Sequence, residues 1–258
     1  MLWQYRDLIV ELTKREFSGR YQGSFGGIMW SFIQPLFLLT IYTLAFGVIL
    51  KTRWSFSGST GVYALMLFLG LIIFNAFSEC LLNSTKLITK NPNFVKKIVF
   101  PLELLPIITV LTNLLHACIA IAVWIAGYFL FFGSIRPTVI LFAVVLLCFA
   151  PILLGLGWLL AALGVIIRDI SHATTMLNHT LLFLTPIFYS VEAAPTRIQK
   201  LLLLNPLTFI IEQFRKIMFL GQLPDFAGLG IYFGCAVLFA CISLGFFRWL
   251  RPNFADMV

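Results

Sequence analysis

Six stretches of this chain contain no Asp, Glu, Lys or Arg: residues 21–50, 54–78, 104–135, 137–167, 170–191 and 226–247. They are 30, 25, 32, 31, 22 and 22 residues long, whereas the next longest uncharged stretch, 201–211, stops at 11. A helix needs about 20 apolar residues to cross the hydrocarbon core of a bilayer, so six stretches qualify and the seventh does not. The spacing predicts an all-α integral membrane protein with six transmembrane helices, forming a single domain over 1–258. Composition excludes a soluble enzyme: 60% hydrophobic residues and a mean hydropathy of +1.00 are more than one globular core can bury while leaving a polar surface.

The first 27 residues are polar and of mixed charge, so a cleavable leader is not expected. Cys80, Cys118, Cys148, Cys235 and Cys241 lie in or beside apolar stretches without metal-type spacing and read as small hydrophobes. With six spans both termini share a side. The loops on that side carry 11 Lys and Arg, and those on the other side carry 7. Positive charge marks the cytoplasmic face, so both termini are expected inside. The basic loop 192–225 weakens this bias.

Three segments outside the spans have helical patterns. Tyr5, Leu8, Ile9 and Leu12 recur at helical spacing, with Arg6, Asp7, Glu11, Lys14 and Arg15 on other faces, which predicts an amphipathic helix over 1–20 in the headgroup layer. Residues 90–99 hold the turn signal Asn91-Pro92, Asn93 as a cap, and a basic, aromatic stretch from Phe94 ended by Pro101. That pattern suits an interfacial anchor or a peg for a cytoplasmic protein equally well. In the third segment, Pro195 opens a short helix through Leu204, and Asn205-Pro206 caps and starts a second with Glu212 placed to pair with Arg215 or Lys216. Neither helix is long enough to span. Pro35, Pro151 and Pro186 predict kinks within spans, and Gly157 with Ala161, beside Gly155 and Gly164, permits close helix packing.

The energy source for transport leaves no trace in the chain. Ion-coupled carriers place ionisable groups at membrane depth, yet Glu79 and Glu103 lie at stretch ends, and only His116, His172 and His179 remain inside. None of the 18 glycines precedes a Lys, so a phosphate-binding loop is absent. Common hydrolase and metal signatures are absent too, so a motor would be another chain. Aromatics are abundant, with 27 Phe, 7 Tyr and 6 Trp, and flat rings offer an apolar face to the C–H side of a sugar. Lipid or core packing is the commoner use of such rings. Trp30 and Trp54 fit interfacial belts, while Tyr42, Phe46, Phe183, Phe188 and Tyr189 are the candidates for lining a passage.

Read in order, Arg20-Tyr21-Gln22-Gly23-Ser24, Gly27-Ile28-Met29-Trp30, Phe94-Val95-Lys96-Lys97 with Phe100-Pro101, Arg168-Asp169, Thr185-Pro186-Ile187-Phe188-Tyr189 and Asn205-Pro206-Leu207-Thr208 carry a resemblance. The chain resembles the membrane subunits of ATP-binding-cassette exporters of cell-surface polysaccharides, most of all the O-antigen lipopolysaccharide branch. The resemblance implies a permease homodimer in the bacterial inner membrane, resting on two cytoplasmic ATPase subunits, with the passage between the permeases. It implies no enzyme activity or cofactor on this chain, ATP and Mg on the partner ATPase, and no nucleic acid.

By the same resemblance, 1–20 is the interface helix, about 90–99 is the coupling helix, and 195–220 holds two extracytoplasmic gate helices. Asn93, Phe94, Lys96, Lys97, Arg168 and Asp169 then contact the ATPase, and Pro206, Glu212 and Arg215 belong to the gate. The cargo is a polysaccharide on a polyprenyl diphosphate, for which Arg20, Lys96 and Lys97 are the candidate cationic partners. A permease for capsule, teichoic acid or a drug-like lipid, and an ATP-independent channel or carrier, are the competing expectations.

Overall fold

The computed structural model describes residues 5–45, 60–96, 100–167 and 169–254. Its helices are α1 (Arg6–Gly19), α2 (Trp30–Tyr42), α3 (Thr60–Ser84), α4 (Pro92–Lys96), α5 (Leu104–Phe132), α6 (Phe142–Ile166), α7 (Ile170–Leu184), α8 (Thr196–Leu204), α9 (Pro206–Arg215) and α10 (Phe226–Leu250). The protein is an all-α integral membrane protein. Among the described residues five helices, α2, α3, α5, α6 and α10 with their short extensions, are long and apolar enough to cross a membrane.

The fifth uncharged stretch, 170–191, behaves differently from the other five. Helix α7 has 15 residues and so rises about 22 Å, short of the roughly 30 Å hydrocarbon core. Pro186 is the reason. It disfavours helical backbone at the residue before it, and Thr185 is extended at φ −96°, ψ 135°. Where a kink was expected, as at Pro35 and Pro151 inside α2 and α6, this proline instead terminates the helix. The chain completes its route with the α8–α9 hairpin.

Both described chain ends lie at one end of the bundle, hereafter the terminal end. There Ile9 of α1, Phe100, Leu104, Trp158, Phe247 and Phe254 share one buried cluster. Glu103 anchors this end electrostatically, receiving Arg251 Nη1 at 3.0 Å with Arg248 at 3.6 Å, while its carbonyl accepts from Trp158 Nε1 at 3.0 Å. Helix α1 packs along α5 through Ile9, with Tyr5, Leu8 and Leu12 partly covered, so its predicted apolar face meets protein.

A larger core surrounds α3, whose Leu65, Leu67, Leu69 and Ile73 are fully buried. Ile210, Ile211 and Phe214 of α9 join it with no exposure at all. Helix α10 packs chiefly on α6, and the close approach of α6 to α10 and to the turn after α3 depends on missing side chains. A Cβ at Gly155 would strike the Phe239 ring, and one at Gly164 would strike the Thr85 carbonyl, which belongs to the backbone and has nowhere to go. Outward faces of α2 and α10 are apolar, with Phe32, Leu36 and Phe37, and Ile231, Leu238 and Ile242, exposed as lipid-facing surface requires.

Candidate functional site

At the far end of the bundle the backbone just after α7, residues 185–187, is irregular yet buried: Thr185 and Ile187 have no exposure. Non-helical backbone at membrane depth is tolerated only where protein or water satisfies it, and here side chains do so. Tyr63 of α3 donates to the Phe188 carbonyl at 2.7 Å, and Tyr189 Oη donates to the Phe183 carbonyl at 2.9 Å. Arg215 Nη2 donates to the Ile187 carbonyl at 3.1 Å, and Asn205 Nδ2 donates to Thr185 Oγ1 at 2.9 Å.

Asn205 also caps α9, its Oδ1 accepting from Leu207 N at 3.0 Å with Pro206 in the first turn. Arg215, 3% exposed, pairs with Glu212 at 2.8 Å. A cation this buried is tolerable only when paired and hydrogen-bonded, and both conditions are met. Gly221, at φ 70°, ends the wide turn Lys216–Leu220 that follows α9. The three residues Pro206, Glu212 and Arg215 therefore belong to one clamped hairpin. Phe183, Phe188 and Tyr189 gather beside it, the two Phe rings stacked at 6.2 Å, with Phe183 70% exposed. Tyr42 packs against the main core from α2, and Phe46 lies outside the described residues.

At the terminal end, Asn93 is exposed on α4 and the Phe94 ring packs against Phe100, tilted 35° with centroids 4.6 Å apart. Pro92 opens this helix, so Asn93 sits inside it and the expected cap is displaced. Asn91 instead supplies the turn, its Nδ2 donating to the Leu87 carbonyl at 2.8 Å and its carbonyl accepting from Phe94 N at 3.1 Å. Proline at the first helical position loses no hydrogen bond, which favours this register. The side chain of Lys96, and Lys97 and Arg168 altogether, lie outside the described set, while Asp169 is exposed immediately before α7.

Arg20 has partners that the sequence pattern did not join to it. Its Nη1 meets Glu79 Oε2 at 2.6 Å and its Nη2 donates to Asn113 Oδ1 at 2.7 Å. Alongside, Tyr21 Oη lies 3.2 Å from His116 Nδ1, Phe17 stacks on the imidazole at 4.7 Å, and Thr109 donates to Glu16 at 3.3 Å. These contacts fasten the α1–α2 connection to α3 and α5. Two clefts, of about 360 and 560 Å³, open on either side of Arg20. Glu79 lies on α3 and Asn113 and His116 lie one turn apart on α5, so only their position at one depth below the terminal end could have linked them to Arg20.

Thus one chain carries a helix and turn projecting at one end, a clamped hairpin at the other, and polar clefts between α1, α3 and α5. The family model for the ABC-2 type transporter matches residues 7–219, from α1 through the turn after α9. The chain belongs to the ABC-2 type transporter family. Within it, a protein of Myxococcus xanthus named "O-antigen export system permease protein RfbA" is 28% identical over 261 residues, covering 100% of this chain and 97% of that protein. Two Klebsiella pneumoniae proteins of the same name are 26% and 24% identical, each over 98% of this chain and 95% of their own length. The stretch matched to the ABC-2 model contains the terminal-end helix α4, both clefts and the hairpin, and leaves out α10.

Proposed function

We propose that this chain is the transmembrane subunit of an ATP-driven exporter that carries O-antigen polysaccharide on a polyprenyl diphosphate across the bacterial cytoplasmic membrane. The observation that carries this reading is similarity along essentially the whole chain to proteins named O-antigen export system permease. Two copies form the conduit between them. Two ATP-binding-cassette subunits bind ATP and Mg at the cytoplasmic face, and this chain binds no cofactor.

In this reading the terminal end faces the cytoplasm, supported by the excess of Lys and Arg in its loops. Helix α4, through Asn93, Phe94, Lys96 and Lys97, and the Arg168–Asp169 turn contact the ATPases. Phe94 is suited to transmit their movement, because its ring packs against Phe100, which shares one cluster with Leu104 at the start of α5. The force reaches a passage walled by aromatics such as Phe183, Phe188 and Tyr189, and the α8–α9 hairpin closes its far end.

Removing the protein from its host should eliminate long-chain O-antigen from the surface and accumulate lipid-linked polysaccharide at the inner membrane. Cells that keep surface O-antigen would overturn the cargo. In a purified complex with its ATPase, Phe94→Asp should uncouple hydrolysis from transport, and unchanged coupling would remove α4 from the mechanism.

A further inference from the structure

The smaller cleft at Arg20 is charge-balanced. Its charged lining is the Arg20–Glu79 pair, with Tyr21 and His116 beside it, and its other polar groups include the amides of Gln34, Asn75 and Asn113. Asn113 is 1% exposed, and its Nδ2 has no hydrogen-bond partner among the described residues; the same holds for His116 Nε2. A buried donor left unpaired is costly, so the Asn113 amide asks for a ligand bearing oxygens, while His116 Nε2 can meet either a donor or an acceptor according to its tautomer. The larger cleft differs in charge, being lined by Arg15, Arg20 and Lys90 against one carboxylate, Glu16. Arg15 and Lys90 are exposed.

Arg20 lines both clefts, and Glu79 and Asn113 engage two of its five N–H donors. A phosphate in the smaller cleft would face the Glu79 carboxylate, whereas sugar hydroxyls both donate and accept and can meet carboxylate, amide and guanidinium together. Volumes of about 360 and 560 Å³ lie within the usual range of small-molecule pockets. We infer that the paired clefts bind a glycosyl diphosphate, with the phosphates against Arg15, Arg20 and Lys90 and the first sugar ring against Asn113, Asn75 and Gln34. The inference rests on the reading that the cargo is diphosphate-linked. It assigns recognition to the junction that every such chain shares, whatever its length or repeat.

The full chain in phosphatidylcholine nanodiscs is titrated with three probes: farnesyl-diphospho-N-acetylglucosamine, farnesyl diphosphate and inorganic diphosphate. The sugar conjugate should bind about tenfold tighter than farnesyl diphosphate, as two or so neutral hydrogen bonds would give, and inorganic diphosphate should bind most weakly. Asn113→Leu, which leaves Arg20 its Glu79 partner, should abolish the sugar increment and leave farnesyl diphosphate affinity unchanged. Gln34→Ala, on the exposed wall, should reduce the increment without touching the fold. Arg15→Gln with Lys90→Gln should weaken all three probes alike. Equal binding of the two farnesyl compounds, or an increment that survives both Asn113→Leu and Gln34→Ala, overturns the sugar subsite. If neither farnesyl compound binds, the whole site falls, while the export reading is still judged separately by surface polysaccharide.

Discussion

Arg215 donates to the carbonyl of Ile187 at 3.1 Å, tying α9 to the buried segment in which α7 ends. The same guanidinium pairs with Glu212 of its own helix, so one side chain joins α9 to the segment after α7 and satisfies a backbone acceptor that no helix serves. Arg215→Met should destabilise the protein by about 2–4 kcal/mol, since it strands a carboxylate and a buried carbonyl together. Arg215→Lys should recover only part of this, because an ammonium cannot span two acceptors as a planar fork does. Thermal unfolding in detergent reads both, and a loss below about 0.5 kcal/mol for the Met variant, the level of an unremarkable surface change, would refute the clamp.

Gly164 should tolerate no side chain. Its Cβ would meet the Thr85 carbonyl, which is backbone and can retreat only if α3 and α6 separate. Gly164→Ala should abolish folded protein in size-exclusion profiles, whereas Gly230→Ala, where nothing lies within 4 Å, should behave as wild type. Equal profiles for the two would show that the helices separate more easily than their packing implies.

Arg20 and Glu79 should couple in a double-mutant cycle. Side-chain exposures of 27% and 40% moderate the pair, so a coupling of about 1 kcal/mol is expected from Arg20→Gln and Glu79→Gln, separately and together. Additive effects would mean that the pair does not hold the α1–α2 connection.

Glu16 gives α1 a pH dependence. Burial is the main influence and raises its carboxyl above 4.5, with Arg20 and the Thr109 hydrogen bond opposing. A folded-state value above the unfolded one favours the protonated, folded form. Its contribution is therefore complete below pH 4.5 and declines as pH rises through the elevated value. Hydrogen-exchange protection factors across α1, corrected for the intrinsic pH dependence of exchange, should rise on acidification over that window, and Glu16→Gln should flatten the profile; an unchanged profile would place the effect elsewhere.

Most helices were legible in the charge pattern because membrane burial leaves a one-dimensional record: a long stretch either contains ionisable groups or does not. The hairpin was legible for a local reason, since Asn205-Pro206 specifies a cap and a first turn. What failed was the inference from apolar length to helical length at 170–191, where Pro186 halts the helix and tertiary contacts absorb the rest. The Arg20 cluster was illegible for the opposite reason. Glu79 and Asn113 are 59 and 93 residues from Arg20, and no periodicity records a meeting of helices.

Because α7 stops short, the part of that crossing far from the terminal end has an unusual mechanical character. Elsewhere, opening the wall would require breaking a continuous backbone ladder. Here the attachment consists of a tyrosine, an arginine and an asparagine reaching in from α3, α9 and the start of α9, each exchangeable for water or another acceptor. At about 1 kcal/mol net for each neutral contact and somewhat more for the charged one, these three hydrogen bonds together contribute a few kcal/mol, to which the burial of Ile187 adds. Their exchange belongs to collective motions on the microsecond-to-millisecond scale, in which this part of the wall can open while the spans around it stay wound.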